Sequence, residues 1–334
     1  MLRMLRSAPA RQPGLKLAFT RGLAISRTKI DLQVSPLLDY LQARGKWSEN
    51  AEQVALTCSV TGTVVKYGEL AGRIRGAAHA LRRSGFKQGD VLSIHLHNSP
   101  EYVIGFLAAS SLGGAITTSN PAYTPTELGF QYADSGATVV LTAEAYRATV
   151  EEAARAEGSR VGSVVYVEDS ASFPNAPATD EPIAPCTRSI APEEDLLALP
   201  YSSGTTGKPK GVCLTHQNLV ANIQQCTLDD SCSIGISQGD KLVAILPFFH
   251  IYGLTVLMCV ALAERATLVT MPRFEPAAFL QTLQEHAITQ VRSTNRTVYT
   301  YPGPLRSRET HSSVCCCGFC CVYLPRPSEV QGDS

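Results

Sequence analysis

Between residues 68 and 142 helical and extended patterns alternate, and that alternation leaves few folds open to the chain. Leu70, Ile74, Ala77, Ala78 and Leu81 recur at helical spacing and the run stops at Gly85, which reads as an amphipathic helix from about Gly68 to Ser84. Val91 to Leu96 follows as a strand. Ser99 is placed to cap the next helix with Pro100 in its first turn, and Val103, Ile104, Phe106 and Leu107 fill it as far as Gly113 and Gly114. Ala115 to Thr118 reads as a strand, Thr124-Pro125-Thr126-Glu127 has capping-box spacing, and Thr138 to Thr142 supplies another strand. Strands separated by helices need crossover connections, so the expected class is α/β, with layered, largely parallel sheets and helices on their faces.

A length of 334 residues suggests about two domains. Pro174, Pro177, Pro182, Pro185 and Pro192 fall in a stretch without sustained period, so residues 170–195 read as a linker. It divides a first α/β subdomain, 31–169, from a second, 196–290. With 44% hydrophobic and 17% charged residues the chain has the means to build a core rather than stay disordered. A formal net charge of zero and the absence of a basic, aromatic stripe argue against nucleic acid as a partner. The most apolar stretch, Ile251 to Ala263, is too short to cross a bilayer and reads as a buried helix. His95 and His97 are read as facing opposite sides of one strand, unable to share a metal, and no metal-ligating set is assigned.

The chemistry concentrates in Tyr201-Ser-Ser-Gly-Thr-Thr-Gly-Lys-Pro-Lys-Gly211. Gly204, Gly207 and Gly211 allow backbone amides to approach an anion closely; Ser202, Ser203, Thr205 and Thr206 add hydroxyl donors, and Lys208 and Lys210 add charge. Leu196 to Leu199 reads as a buried strand before this loop and Val212 to Thr215 as a strand after it. A solvated Ser/Thr/Gly hinge has a similar composition. The P-loop of nucleoside triphosphatases is excluded by spacing, because the residue five positions after Gly204 is Pro209 rather than glycine.

This loop resembles, almost residue for residue, the phosphate-binding signature of adenylate-forming acyl-CoA synthetases. Downstream, Leu246-Pro-Phe-Phe-His-Ile-Tyr-Gly253 resembles the Pro-aromatic-His motif of the 4-coumarate-CoA ligase and luciferase branch, and Met271-Pro-Arg-Phe-Glu-Pro276 is a looser third match. Lys66 to Leu70, Asn98-Ser-Pro-Glu101 and Asn120-Pro-Ala-Tyr-Thr124 are similar to that branch as well, so the resemblance covers residues 35 to 290. It implies ligation in two steps. A carboxylic acid attacks ATP to give an acyl-adenylate and pyrophosphate, and coenzyme A then displaces AMP. By the same resemblance Lys208 and Lys210 are catalytic, residues 202–208 with Lys210 and Gly211 hold the nucleotide with Mg²⁺, His250 orients the carboxylate, and Tyr252 lines the acyl pocket. Arg273 falls where some relatives place a basic contact to coenzyme A; a surface arginine after a strand is the alternative. A luciferase-like monooxygenase shares the first half-reaction and stays open.

Residues 1–30 hold seven of the 29 basic residues and none of the 29 acidic ones, which leaves 22 basic against 29 acidic in the remainder. An Arg-rich, acid-free start resembles a mitochondrial transit peptide; a disordered basic tail, and with it a cytoplasmic location, is the alternative. Past Gln290 the hydrophobic period lapses. Residues 291–334 carry five of the eleven cysteines, with a single Cys317-x-x-Cys320 and no second pair for zinc. They read as an unrelated, disordered terminus produced by alternative splicing or a shifted frame. Full-length relatives continue instead into a nucleotide loop, an acidic Mg²⁺ contact and a mobile domain with a catalytic lysine. A catalytically incomplete chain that binds nucleotide, or associates with an intact homologue, is therefore the competing expectation.

Overall fold

The computed structural model describes residues 30–168, 181–183, 186–202, 209–228, 234–293, 313–314 and 320–323. In chain order the described elements are α1 (Leu37–Gly45), β1 (Val54–Cys58), β2 (Val64–Lys66), α2 (Tyr67–Arg83), β3 (Val91–His95), α3 (Pro100–Ser111), β4 (Ala115–Thr118), α4 (Pro125–Ser135), β5 (Val139–Thr142), α5 (Arg147–Ala154) and β6 (Ser163–Tyr166). Then come β7 (Leu196–Ser202), β8 (Lys210–Gly211), β9 (Leu214–Thr215), α6 (His216–Leu228), β10 (Lys241–Ala244), a π-helical segment Gly253–Cys259 that runs into α7 (Val260–Ala263), β11 (Thr267–Thr270), α8 (Pro276–Glu285), β12 (Gln290–Ser293), β13 (Ser313–Val314) and β14 (Cys320–Tyr323).

Local signals account for three helices of the first half. Ser99 Oγ accepts from the Tyr102 N–H with Pro100 in the first turn of α3, and Thr124 with Glu127 completes a capping box on α4. All five apolar positions read on α2 are buried. Gly85, at φ +93°, lets the chain turn there so that the Phe86 N–H reaches the Leu81 carbonyl. The run Ile251 to Ala263 is indeed a buried helical stretch, wound more widely than α over its π segment.

Two sheets form, ordered β6-β5-β3-β4-β7-β8 and β13-β14-β12-β10-β11-β1-β2, with β9 also on β7. The pairs β3–β4, β3–β5, β4–β7 and β5–β6 are parallel in one; β1–β11, β10–β11 and β10–β12 are parallel in the other. α1, α2, α3, α6 and α7 lie between the sheets, sharing one core with Leu92, Ile94 and Ile116 on one side and Leu56, Leu242 and Leu268 on the other. The period of two then assigns the outer faces: Val243 and Val269 turn to α8, and Val140 turns to α4 and α5. The result is five layers, helix and sheet alternating.

The sheets do not divide at residues 170–195 as the proline-rich stretch suggested. β7 follows that stretch yet joins β4, while β1 and β2 precede it and belong to the other sheet. The expectation of structureless chain after residue 290 also needs correction. β12 continues the sheet through Ser293, and β14 pairs antiparallel with it over four residues. Val291 is buried against α8's side of the sheet, and Arg292, also buried, donates to the Ile234 carbonyl and to Gln290 Oε1, so polar side chains fill positions where a hydrophobic period was sought. Residues 1–29 and most of 294–334 lie outside the described residues.

Two core histidines make this fold acid-sensitive. Burial lowers His95 to about 4, with a smaller contribution from His97. Burial likewise lowers His216 to about 4, opposed in part by Asp195, while its Nδ1 accepts from the Leu37 N–H. Both rings bind protons more weakly in the folded than in the unfolded chain, so the unfolded state is favoured as pH falls from 6.5 toward 4. The expected urea midpoint is therefore lower near pH 4.5 than near pH 7, with His95→Phe reducing the difference. A midpoint independent of pH over that window would contradict the neutral, buried assignment.

Candidate functional site

The phosphate-loop segment leaves the carboxyl end of β7. Ser202 is the last residue of that strand, and Lys210 and Gly211 return antiparallel to it, with Ser202 opposite Lys210 and Tyr201 opposite Gly211. β7 and β8 are thus antiparallel neighbours, and of the strand expected over Val212 to Thr215 only Leu214–Thr215 is extended, as β9. Ser203, Gly204, Thr205, Thr206, Gly207 and Lys208 lie outside the described residues. Lys210 and Gly211 are solvent-exposed. Gly211 needs its small size for a different reason from the one anticipated. It does not adopt positive φ; a Cβ there would stand 3.1 Å from the Tyr201 ring, whose hydroxyl donates to Asp134 Oδ2 at 2.5 Å.

Four strands of the two sheets end around one cavity of about 410 Å³. Its wall takes His97 and Asn98 from beyond β3, Asn120 from beyond β4, Ile245 and Pro247 from beyond β10, and Arg273 from beyond β11. These are all carboxyl ends of parallel strands, where open α/β sheets place their ligands. Three of the segments singled out in the sequence, Asn98-Ser-Pro-Glu101, Asn120-Pro-Ala-Tyr-Thr124 and Met271-Pro-Arg-Phe-Glu-Pro276, converge here with the start of Leu246–Gly253.

The turn after β10 is held from the opposite sheet. Asn98 Nδ2 donates to the carbonyls of Ala244 and Leu246, both at 2.9 Å, and its Oδ1 accepts from the Phe248 N–H at 2.8 Å. Thr118 Oγ1 donates to the Phe249 carbonyl at 2.8 Å. Neither residue was assigned a role from sequence, although Asn98 opens one of the recognised motifs. His250, which these contacts carry, is exposed, and its Nδ1 accepts from the Tyr252 N–H at 3.3 Å, leaving Nε2 as the nitrogen that bears the proton of the neutral ring. The half-buried Tyr252 packs against the main core. Neither of these two lines the cavity wall; Phe249 between them and Pro247 does.

Arg273 does face the cavity, and it has company that the sequence reading assigned elsewhere. His95, the last residue of β3, and His97, two residues further on, point to the same side. Both rings meet Tyr146 edge-on, with centroids 4.9 and 5.8 Å away, which corrects the expectation of opposite faces. The Arg273 Nε–H points to His97 Nε2 at 3.3 Å. Burial and the neighbouring guanidinium lower the pKa of His97, and burial raises that of Tyr146, opposed in part by Arg273. The spacing of 176 residues between Arg273 and His97 explains why no sequence signal revealed the contact.

Residues 44–313 match the family of AMP-binding enzymes, and the chain belongs to that family. The match runs past residue 290, into the segment read as unrelated. Among characterised proteins, it is 37% identical over 249 residues to 4-coumarate–CoA ligase CCL1 of Humulus lupulus, covering 72% of this chain and 44% of the relative. It is 35% identical over 272 residues to 4-coumarate–CoA ligase 3 of Oryza sativa subsp. japonica, covering 80% and 48%. The chain thus spans under half the length of these relatives. Among solved structures, the inhibitor-bound N-terminal domain of FACL13 from Mycobacterium tuberculosis superimposes with a TM-score of 0.66 at 25% identity, over 76% of this chain and 61% of that one. ATP-bound MatB from Rhodopseudomonas palustris gives 0.60 at 25% identity, over 74% and 48%.

Proposed function

We propose that this chain carries the nucleotide-loop and acyl-site half of an ATP-dependent acid–CoA ligase. The observation that carries the reading is the convergence of the family's motif segments on one cavity at the strand ends, with the phosphate-loop segment leaving β7, the neighbour of β4 in that sheet. A carboxylate and a triphosphate repel one another, so the attack on the α-phosphorus needs donors and cations already in place. Ser202 to Gly207, with Lys208 and Lys210, would hold the phosphates and offset the charge that moves to pyrophosphate. His250, with Nε2–H free to donate, would orient the substrate carboxylate, and Tyr252 would bound its pocket. In the second step a thiol sulfur attacks the acyl-adenylate carbonyl and AMP leaves; Arg273 would hold a phosphate of coenzyme A. For Mg²⁺, the described residues contain no group of three His, Cys, Asp or Glu side chains able to hold an ion.

Binding tests the reading directly. The 334-residue chain is expected to bind Mg-ATP saturably in calorimetry, and a Lys208→Ala, Lys210→Ala variant to bind at least about tenfold more weakly, since charge-assisted hydrogen bonds contribute about 1.5–3 kcal/mol each. Absence of saturable binding by folded wild-type chain would sink the proposal. A second reading is nucleotide binding without turnover, in association with an intact homologue. Pyrophosphate release with a panel of aromatic and medium-chain acids separates the two, because only the first reading requires it.

A further inference from the structure

The wall of the cavity is mostly apolar, built from residues such as Pro121, Ile245, Phe249 and Met271, and Arg273 is the cation in it. Its guanidinium has no carboxylate partner among the described residues. The nearest acidic side chain in sequence, Glu275, is committed to the start of α8, where its oxygens accept from the N–H groups of Ala277 at 3.3 Å and Ala278 at 2.7 Å. Instead the guanidinium is held by a neutral group of the other sheet: His97 Nε2 receives Nε–H.

A guanidinium offers five N–H donors in a rigid plane. With Nε committed to His97, the edge formed by Nη1 and Nη2 remains, and that edge matches two oxygens of a phosphate. Holding the plane also removes rotamer freedom that a ligand would otherwise have to restrict on binding. We propose that His97 is a positioning residue for coenzyme A: its neutral imidazole anchors Arg273 Nε–H so that the remaining fork receives a phosphate of the cofactor. This rests on the assignment of Arg273 to coenzyme A under the proposed function.

The charge state of His97 belongs to the device. Among the described residues, the groups that face it are His95 at the end of β3, Tyr146 from the turn after β5 and Arg273 from beyond β11, and none of them is a carboxylate. Burial and Arg273 both lower its pKa, which keeps Nε2 an acceptor at neutral pH. Protonation would replace the acceptor with a donor that faces another donor, and the anchor would be lost.

The experiment has two arms, both on the full chain. In the first, the His97 titration is followed by NMR with and without Arg273→Ala. The anchor predicts a higher His97 pKa in the variant; an unchanged pKa overturns the pairing whatever happens to ligand. In the second, coenzyme A binding is measured by calorimetry for wild type, Arg273→Ala, His97→Leu and His97→Gln. His97→Leu is expected to bind about tenfold more weakly, the worth of one hydrogen bond to a charged group. His97→Gln, which keeps an acceptor but cannot titrate, should retain wild-type affinity and lose the dependence on pH below neutrality. If Arg273→Ala weakens binding while His97→Leu does not, the positioning role fails and the reading of Arg273 stands. If Arg273→Ala binds coenzyme A as wild type does, or wild type does not bind it, the reading of Arg273 fails and the positioning role for coenzyme A fails with it, even where the first arm shows the pairing to be real.

Discussion

Replacing Asn98 with alanine is expected to lower the stability of the chain by about 4 kcal/mol, because one side chain satisfies three backbone groups and each buried group left unpaired costs about 1–3 kcal/mol. The side chain is itself buried, so water does not readily replace it. Its place in the fold amplifies the effect. Asn98 belongs to the strand ends of one sheet, and its partners, Ala244, Leu246 and Phe248, belong to the other, so the bonds fix how the two sheets meet above the cavity. Asn98→Asp is the instructive companion. It keeps an acceptor for the Phe248 N–H but turns a carboxylate oxygen toward the two carbonyls that Nδ2 had satisfied, so it should be no better than alanine. Urea denaturation of the three proteins decides the matter. A loss below about 1 kcal/mol for Asn98→Ala would mean that the turn finds other partners, the outcome usual at surface positions.

What was legible in the sequence follows from how local each signal is. α2, α3 and α4 could be read because apolar spacing, a capping serine or threonine, and a proline in the first turn act within a few residues. The order of the strands could not. β4, β5 and β11 are four residues long and buried on both faces, so they carry no alternation that would set a face or a partner. Hence the proline-rich stretch passed for a division that the strand pairings cross. The apolar run at 251–263 announced a buried helix, but a segment apolar all round has no stripe from which to tell π from α winding. At the site, loop composition and motif order exposed the chemistry, whereas Asn98, Thr118 and His97 act through partners more than 130 residues away and only the stacking of the sheets brings them together.

Gly253→Ala should have an effect of the same order, about 3 kcal/mol or more, and for a steric reason. A Cβ on Gly253 would stand 2.1 Å from the Pro247 carbonyl oxygen, 2.7 Å from its carbon and 3.0 Å from the Leu246 carbonyl oxygen. All three are backbone atoms, so no side chain can swing aside, and overpacking of this kind costs about 1–3 kcal/mol or more. The Pro247 carbonyl also accepts from the His250 N–H at 3.1 Å. Relief of the clash must move the turn that carries His250 and lines the cavity through Pro247. Gly162→Ala is the control: nothing lies within 4 Å of its Cβ position and its φ is not positive, so it should change stability by no more than about 0.5 kcal/mol. Equal urea midpoints for the two variants would refute the close approach. Because Gly253 and Asn98 act on the same turn, their double variant should lose less than the sum of the single losses. Once the turn has left the opposite sheet, the methyl at 253 has room, and full additivity would show that the two contacts hold separate pieces of structure.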